Sequence, residues 1–158
     1  MISCPFYSHR QRDFLYFCPH LANDAMNEKN DKEIPAYRTR LKSERSDRLY
    51  VQILEELTRN KRYRDPAFTA RQMAEILHTN TRYISAAIAN CTGGNYNMMV
   101  NKFRLRDACR MMQSPRYAHL TTEEIGLLAG FSSRQAFYLA FSRVYDITPR
   151  AYRLGLKP

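Results

Sequence analysis

The sequence predicts an all-α protein: two helix-turn-helix subdomains joined by a long linker helix, with a short N-terminal extension. Three observations predict it. Apolar residues recur at helical spacing through most of the chain after Ser46. A short unit made of a capping residue, a helix, a tight turn and a second helix occurs twice, the caps Thr69 and Thr121 lying 52 residues apart (121 minus 69). Between the copies, Tyr96, Met99, Val100, Phe103, Ala108, Met111 and Met112 trace one long amphipathic helix.

Residues 1–45 read as an extension, and residues 46–158 as the folded domain. The burst FLYF at Phe14–Phe17 is compatible with a strand, a turn of helix or a docking peptide, and Asn23–Glu33 has the polarity of a linker or frayed helix, broken by Pro35. The first helix is expected to start with Ser46 as its N-cap and to bury Leu49, Tyr50, Ile53, Leu54 and Leu57. The run Asn60–Arg64 and then Pro66 should end it.

In the first repeated unit, Thr69 and Gln72 have capping-box spacing, in which the hydroxyl accepts from a first-turn amide while the glutamine reaches back. Met73, Ile76 and Leu77 form the apolar face, and the helix ends at Leu77-His78-Thr79. Thr79 is then expected to cap a second helix with Ile84, Ala87 and Ile88 inward and Arg82, Ser85, Ala86 and Ala89 outward, stopped by Gly93-Gly94.

The long helix should finish near Ser114-Pro115. The second unit repeats the first, with Thr121 and Glu124 in the capping box, Ile125 matching Met73 and Gly126 matching Ala74. Gly130 supplies a turn position of positive φ, Ser132 or Ser133 caps the next helix, and Phe137, Ala140 and Phe141 face inward. Thr148-Pro149 suits a capped final turn, with Tyr152 packing back and Arg153 at the wet edge.

The chain carries a net charge of +10 over 158 residues. Residues 1–45 hold 8 basic and 6 acidic side chains, or +2, and the remainder 17 and 9, or +8. Positive charge concentrated in the folded part points to a polyanionic partner. A helix-turn-helix gives that charge a task, because its first helix crosses the phosphates while its second enters the major groove.

Residues Thr69 to Arg153 resemble the DNA-binding domain of the AraC/XylS family of transcription regulators. EIGLLAGFSSRQAFYLAFSRVYDITPRAYR follows that family's pattern I-A-x-x-x-G-F, F-x-x-x-F and G-x-T-P-x-x-[YF]-R through Ile125, Gly130, Phe131, Phe137, Phe141, Thr148, Pro149, Tyr152 and Arg153. Met73-Ala74, Ile84-Ser85, Gly94, Tyr96, Arg104 and Ala108 fit its first half. Gly126 stands where alanine is usual, at an expected cost of ~1 kcal/mol in helix propensity, and Asp146 stands where glycine is usual.

The resemblance implies double-stranded DNA as partner, sequence-specific regulation of transcription, and base reading by the second helix of each unit. If the linker helix is straight, the two second helices reach successive major grooves ~34 Å apart. The expected base-reading residues are Thr81, Arg82 and Ser85, then Arg134, Gln135 and Tyr138. Arginine can donate twice to guanine, and glutamine has the fork for adenine. Lys102, Arg106, Ser133, Arg143 and Arg150 are the expected phosphate ligands. Arg104 is expected to brace the linker helix through Glu75 or Asp107. RNA polymerase, or a protein docked on residues 1–45, would be the further partner.

The competing reading is a protein-interaction module that keeps the fold with weak or no specific DNA binding. An enzyme is not expected: Ser132-Ser133 has no base beside it and His119 is isolated. No cofactor and no metal are expected, since Cys4, His9, Cys18 and His20 match no standard zinc spacing, and Cys91 and Cys109 read as buried thiols. Charges interrupt every apolar run, so no membrane association is expected and a cytoplasmic location follows.

Overall fold

The computed structural model describes residues 36–155. The expectations for FLYF, the Asn23–Glu33 linker, the Cys4, His9, Cys18 and His20 set, and most of the docking segment 1–45 lie outside the described residues. Among the described residues the chain forms seven α-helices and no strand. They are α1 (Ala36–Arg59), α2 (Ala70–Ile76), α3 (Thr81–Thr92), α4 (Tyr96–Gln113), α5 (Thr122–Leu128), α6 (Arg134–Tyr145) and α7 (Pro149–Arg153), with 3₁₀ turns at Arg62–Arg64 and Pro115–Tyr117.

α1 starts at Ala36, ahead of the expected cap at Ser46. Ser46 is instead an interior helix residue whose hydroxyl accepts from Asn90 Nδ2 at 3.2 Å. A serine whose hydroxyl has a tertiary partner does not mark a helix boundary.

The described residues fall into two compact units, one built from α1 to Glu55 and Ala70–Tyr96, the other from Glu56–Thr69 and Asn97 onward. In the first, Tyr50, Ile53 and Leu54 of α1, Met73 and Ala74 of α2, and Ile84, Ala87, Ile88 and Cys91 of α3 are buried. These are the i, i+3, i+4 positions that the apolar periodicity marks. Cys91 is a buried thiol, and its Sγ lies 3.4 Å from Asp47 Oδ1.

In the second unit Leu105, Ala108, Cys109 and Met111 of α4 join Ile125, Ala129, Phe131, Phe137 and Phe141 in one core. Phe141 meets Phe137 edge-on at 5.6 Å and Tyr152 at 5.4 Å, so α7 is seated by its aromatic ring as expected. Arg153 is half-buried, and its guanidinium donates to the carbonyls of Leu120 and Ala118, satisfying the loop ahead of α5. Arg104 braces α4 through carbonyls, donating to Tyr63 O at 2.6 Å and Asp65 O at 3.0 Å. Asp107 instead takes Arg64 and Arg110, at 2.6 and 2.7 Å.

Both turns between paired helices are built alike. The amide of Thr79 donates to Ala74 O and that of His78 to Glu75 O; Phe131 donates to Gly126 O and Gly130 to Leu127 O. These bonds define a Schellman motif in each unit, with the left-handed residue being His78 (φ 49°) in the first and Gly130 (φ 103°) in the second. Gly130 has a second constraint, since a β-carbon there would lie 2.5 Å from Cα of Arg64.

Candidate nucleic-acid interface

The second helix of each unit is positioned by its cap. Asn80, not Thr79, caps α3: its side chain accepts from the Tyr83 amide at 3.0 Å. Thr79 belongs to the turn, its amide donating to Ala74 O at 2.9 Å. Ser133 caps α6 by accepting from the Ala136 amide at 3.2 Å. Its hydroxyl proton remains a donor.

Measured from the caps, the two helices are in register at an offset of 53 (133 minus 80), one residue more than the first helices of the units. Thr81 therefore corresponds to Arg134, Arg82 to Gln135 and Ser85 to Tyr138. Inward, Ile84 corresponds to Phe137 and Ile88 to Phe141, all four fully buried. The apolar faces anchor each helix, which leaves the opposite face outward. Thr81, Arg82, Ser85, Arg134 and Gln135 are exposed and Tyr138 is half-buried.

Of the expected phosphate ligands, Lys102, Arg143 and Arg150 are exposed and Arg106 and Ser133 half-buried. Lys102 and Arg106 share a face of α4 at i, i+4 spacing. The Arg106 guanidinium packs 5.3 Å from the Phe103 ring centroid. Arg143 lies nine residues beyond Arg134 on α6, ~13 Å along the axis. Arg150 is the second residue of α7, after Pro149, and its charge acts on Glu123.

Glu123 is the residue that sequence reasoning missed. Its Oε1 accepts from the Tyr138 hydroxyl at 2.9 Å and lies 3.4 Å from Arg134 Nε. The guanidinium of Arg134 in turn sits 5.1 Å from the Tyr138 ring centroid. Its own backbone amide, then the Tyr138 hydroxyl and the charges of Arg134 and Arg150, hold the Glu123 carboxyl below the usual glutamate range. Burial and then the bond to Glu123 push the Tyr138 hydroxyl up. Nothing in the local spacing signals this cluster, because residues 123 and 138 meet only when α5 and α6 cross. Leu139, 64% exposed on α6, is the other unforeseen group on this surface.

No group of three or more His, Cys, Asp or Glu side chains able to hold a metal occurs among the described residues. No described helix is long and apolar enough to cross a membrane.

A family profile described as "Helix-turn-helix domain" matches residues 73–155, just over half of the 158 residues. Among solved structures, the C-terminal domain of AraT, a response regulator from Geobacillus stearothermophilus, is similar at 22% identity and a TM-score of 0.55, covering 74% of this chain and 87% of that one. The C-terminal domain of the two-component response regulator yesN from Fusobacterium nucleatum is 21% identical with a TM-score of 0.53, covering 75% and 99%. A Chromobacterium violaceum transcriptional regulator described by its AraC-type DNA-binding domain is 20% identical with a TM-score of 0.55, covering 71% and 92%. At these identities the likeness is one of fold. Comparison with curated proteins finds no match.

Proposed function

The chain belongs to the AraC-type helix-turn-helix family of DNA-binding transcription regulators, and from that premise we propose that it binds double-stranded DNA sequence-specifically, reading two successive major grooves with α3 and α6. The observation that carries the reading is the shared register. Counted from their caps, both helices bury their fourth and eighth positions, Ile84 and Ile88 on α3 and Phe137 and Phe141 on α6, and carry Thr81, Arg82 and Ser85 on α3 at the positions that Arg134, Gln135 and Tyr138 occupy on α6.

The chemistry of those positions suits base edges. Arg82 and Arg134 can each donate twice to guanine O6 and N7, and Gln135 matches adenine N6 and N7. Thr81 and Ser85 accept or donate, and the small Ala86 beside them allows close approach. Lys102, Arg106, Arg143 and Arg150, with the Ser133 hydroxyl, supply phosphate contacts that fix the register without carrying sequence information.

A titration of random-sequence duplex at low salt tests the reading first. Binding that weakens linearly in log–log form as salt rises is expected, because phosphate contacts release counterions. No binding at low salt would overturn it and leave a protein-interaction module.

A further inference from the structure

Resting on that reading of α6, we propose that Glu123 is a positioning residue for DNA recognition: it holds Arg134 and Tyr138 in the arrangement in which they meet the bases. A free arginine on a helix surface samples many rotamers and loses that freedom on binding. Here one carboxylate oxygen of Glu123 takes the Tyr138 hydroxyl at 2.9 Å and faces Arg134 Nε at 3.4 Å. The guanidinium plane is flanked by the Tyr138 ring, with its carbon 5.1 Å from the centroid. The acid therefore engages arginine at its inner nitrogen, while the side chain as a whole stays 67% exposed.

The geometry differs from that of the first unit, which gives the proposal a built-in contrast. Position 123 corresponds to Arg71 at the offset of 52 between the first helices, and Arg71 pairs with Glu75 along its own helix at 3.3 Å. The acid of the first helix that pairs with reading residues is Glu123, in the second unit.

A carboxylate near DNA has two consequences. It repels phosphate on every duplex alike, which lowers affinity without changing discrimination. It also spares the preferred duplex the cost of fixing Arg134, and ordering one long side chain is worth about three- to tenfold in affinity.

The test uses the full chain, the best duplex it recovers from a random-sequence pool, and a scrambled duplex of the same length and composition. Glu123→Ala should bind the scrambled duplex as well as the parent or better and the preferred duplex more weakly, lowering the ratio of the two affinities about three- to tenfold. Glu123→Gln keeps an oxygen for the Tyr138 hydroxyl but removes the charge facing Arg134, and should fall between. In a background carrying both Arg134→Ala and Tyr138→Phe, which removes both groups that Glu123 holds, Glu123→Ala should change the ratio no further. Equal tightening on both duplexes, or a ratio unchanged while the urea midpoint drops, would overturn the positioning role and leave Glu123 a plain repulsive charge or a structural one. If Arg134→Ala itself leaves the ratio intact, the base-reading assignment of α6 has failed, which is a separate result.

Discussion

The ring of Phe137 rests directly on Gly126. A β-carbon built at residue 126 would lie 2.5 Å from Cδ1 of that ring. This contact is where the two helices of the second unit cross, and it places α6 at the depth from which its outer face is presented. Ala74 holds the corresponding place in the first unit, and Ile84 the place of Phe137. Gly126 and Phe137 thus form a close pair in this fold.

Gly126→Ala should destabilise the protein even though alanine is the better helix former. Phe137 is fully buried, with Phe131 at 5.1 Å and Phe141 at 5.6 Å, so its ring has nowhere to retreat. Overpacking of this kind outweighs the propensity gain, for a net loss of about 1–2 kcal/mol in urea unfolding. Adding Phe137→Leu should cost less in the Gly126→Ala background than alone. A raised urea midpoint for Gly126→Ala would contradict this account.

Asp107 is 3% exposed and draws Arg64, Arg110 and the Tyr63 hydroxyl to one carboxylate, tying the Arg62–Arg64 turn to α4. Removing it leaves Arg64 with no carboxylate while its side chain is only 33% exposed. Asp107→Ala should therefore cost about 3 kcal/mol. Arg110 is 52% exposed, and Arg110→Ala should cost no more than about 1 kcal/mol. Denaturation of the two variants side by side checks the asymmetry.

The Thr121–Glu124 capping box should be sensitive to acid. The backbone amide of Thr121, and then its hydroxyl, hold the Glu124 carboxyl below its ordinary value of 4.5. A depressed folded value means that the ionised form stabilises the fold at pH above the ordinary value, and that this contribution disappears as pH falls through the lowered one. The stability difference between the parent and Glu124→Ala should accordingly shrink between about pH 6 and about pH 3. A difference that stays constant across this range would count against the charged box.

Base and phosphate contacts separate by their salt behaviour. Arg134→Ala should lose ~1–3 kcal/mol of discrimination between preferred and scrambled duplex if its contact is bidentate. Lys102→Ala should weaken both alike and reduce the slope of log K against log salt by about 1. Anisotropy titrations at several salt concentrations measure both quantities. Equal losses on the two duplexes for Arg134→Ala would remove it from the readers.

The helices and their buried faces were legible in the sequence because 3.6-residue periodicity and cap spacing are local signals. The Thr121–Glu124 box, the Gly93 and Gly130 turns and the inward Ile84, Ile88, Phe137 and Phe141 are all present as read. The Asn80 cap was hidden for a specific reason. Thr79 and Asn80 both suit the role, and the choice depends on His78 adopting positive φ, which histidine does not announce as glycine does. The partners of Arg104, Arg153 and Glu123 were illegible because each spans 15 or more residues and is set by how helices and loops meet. α1 was placed late because Ser46 has the chemistry of a cap and, in the fold, a different use for it.

The most direct measurement is selection of bound duplexes from a random pool by the parent chain, Arg82→Ala and Arg134→Ala. The parent should recover a two-part motif with its halves about one helical turn, 10–10.5 bp, apart. Each variant should lose base preference in a different half and keep it in the other. A one-part motif, or a two-part motif that survives both substitutions unchanged, would contradict the claim that α3 and α6 each read the duplex.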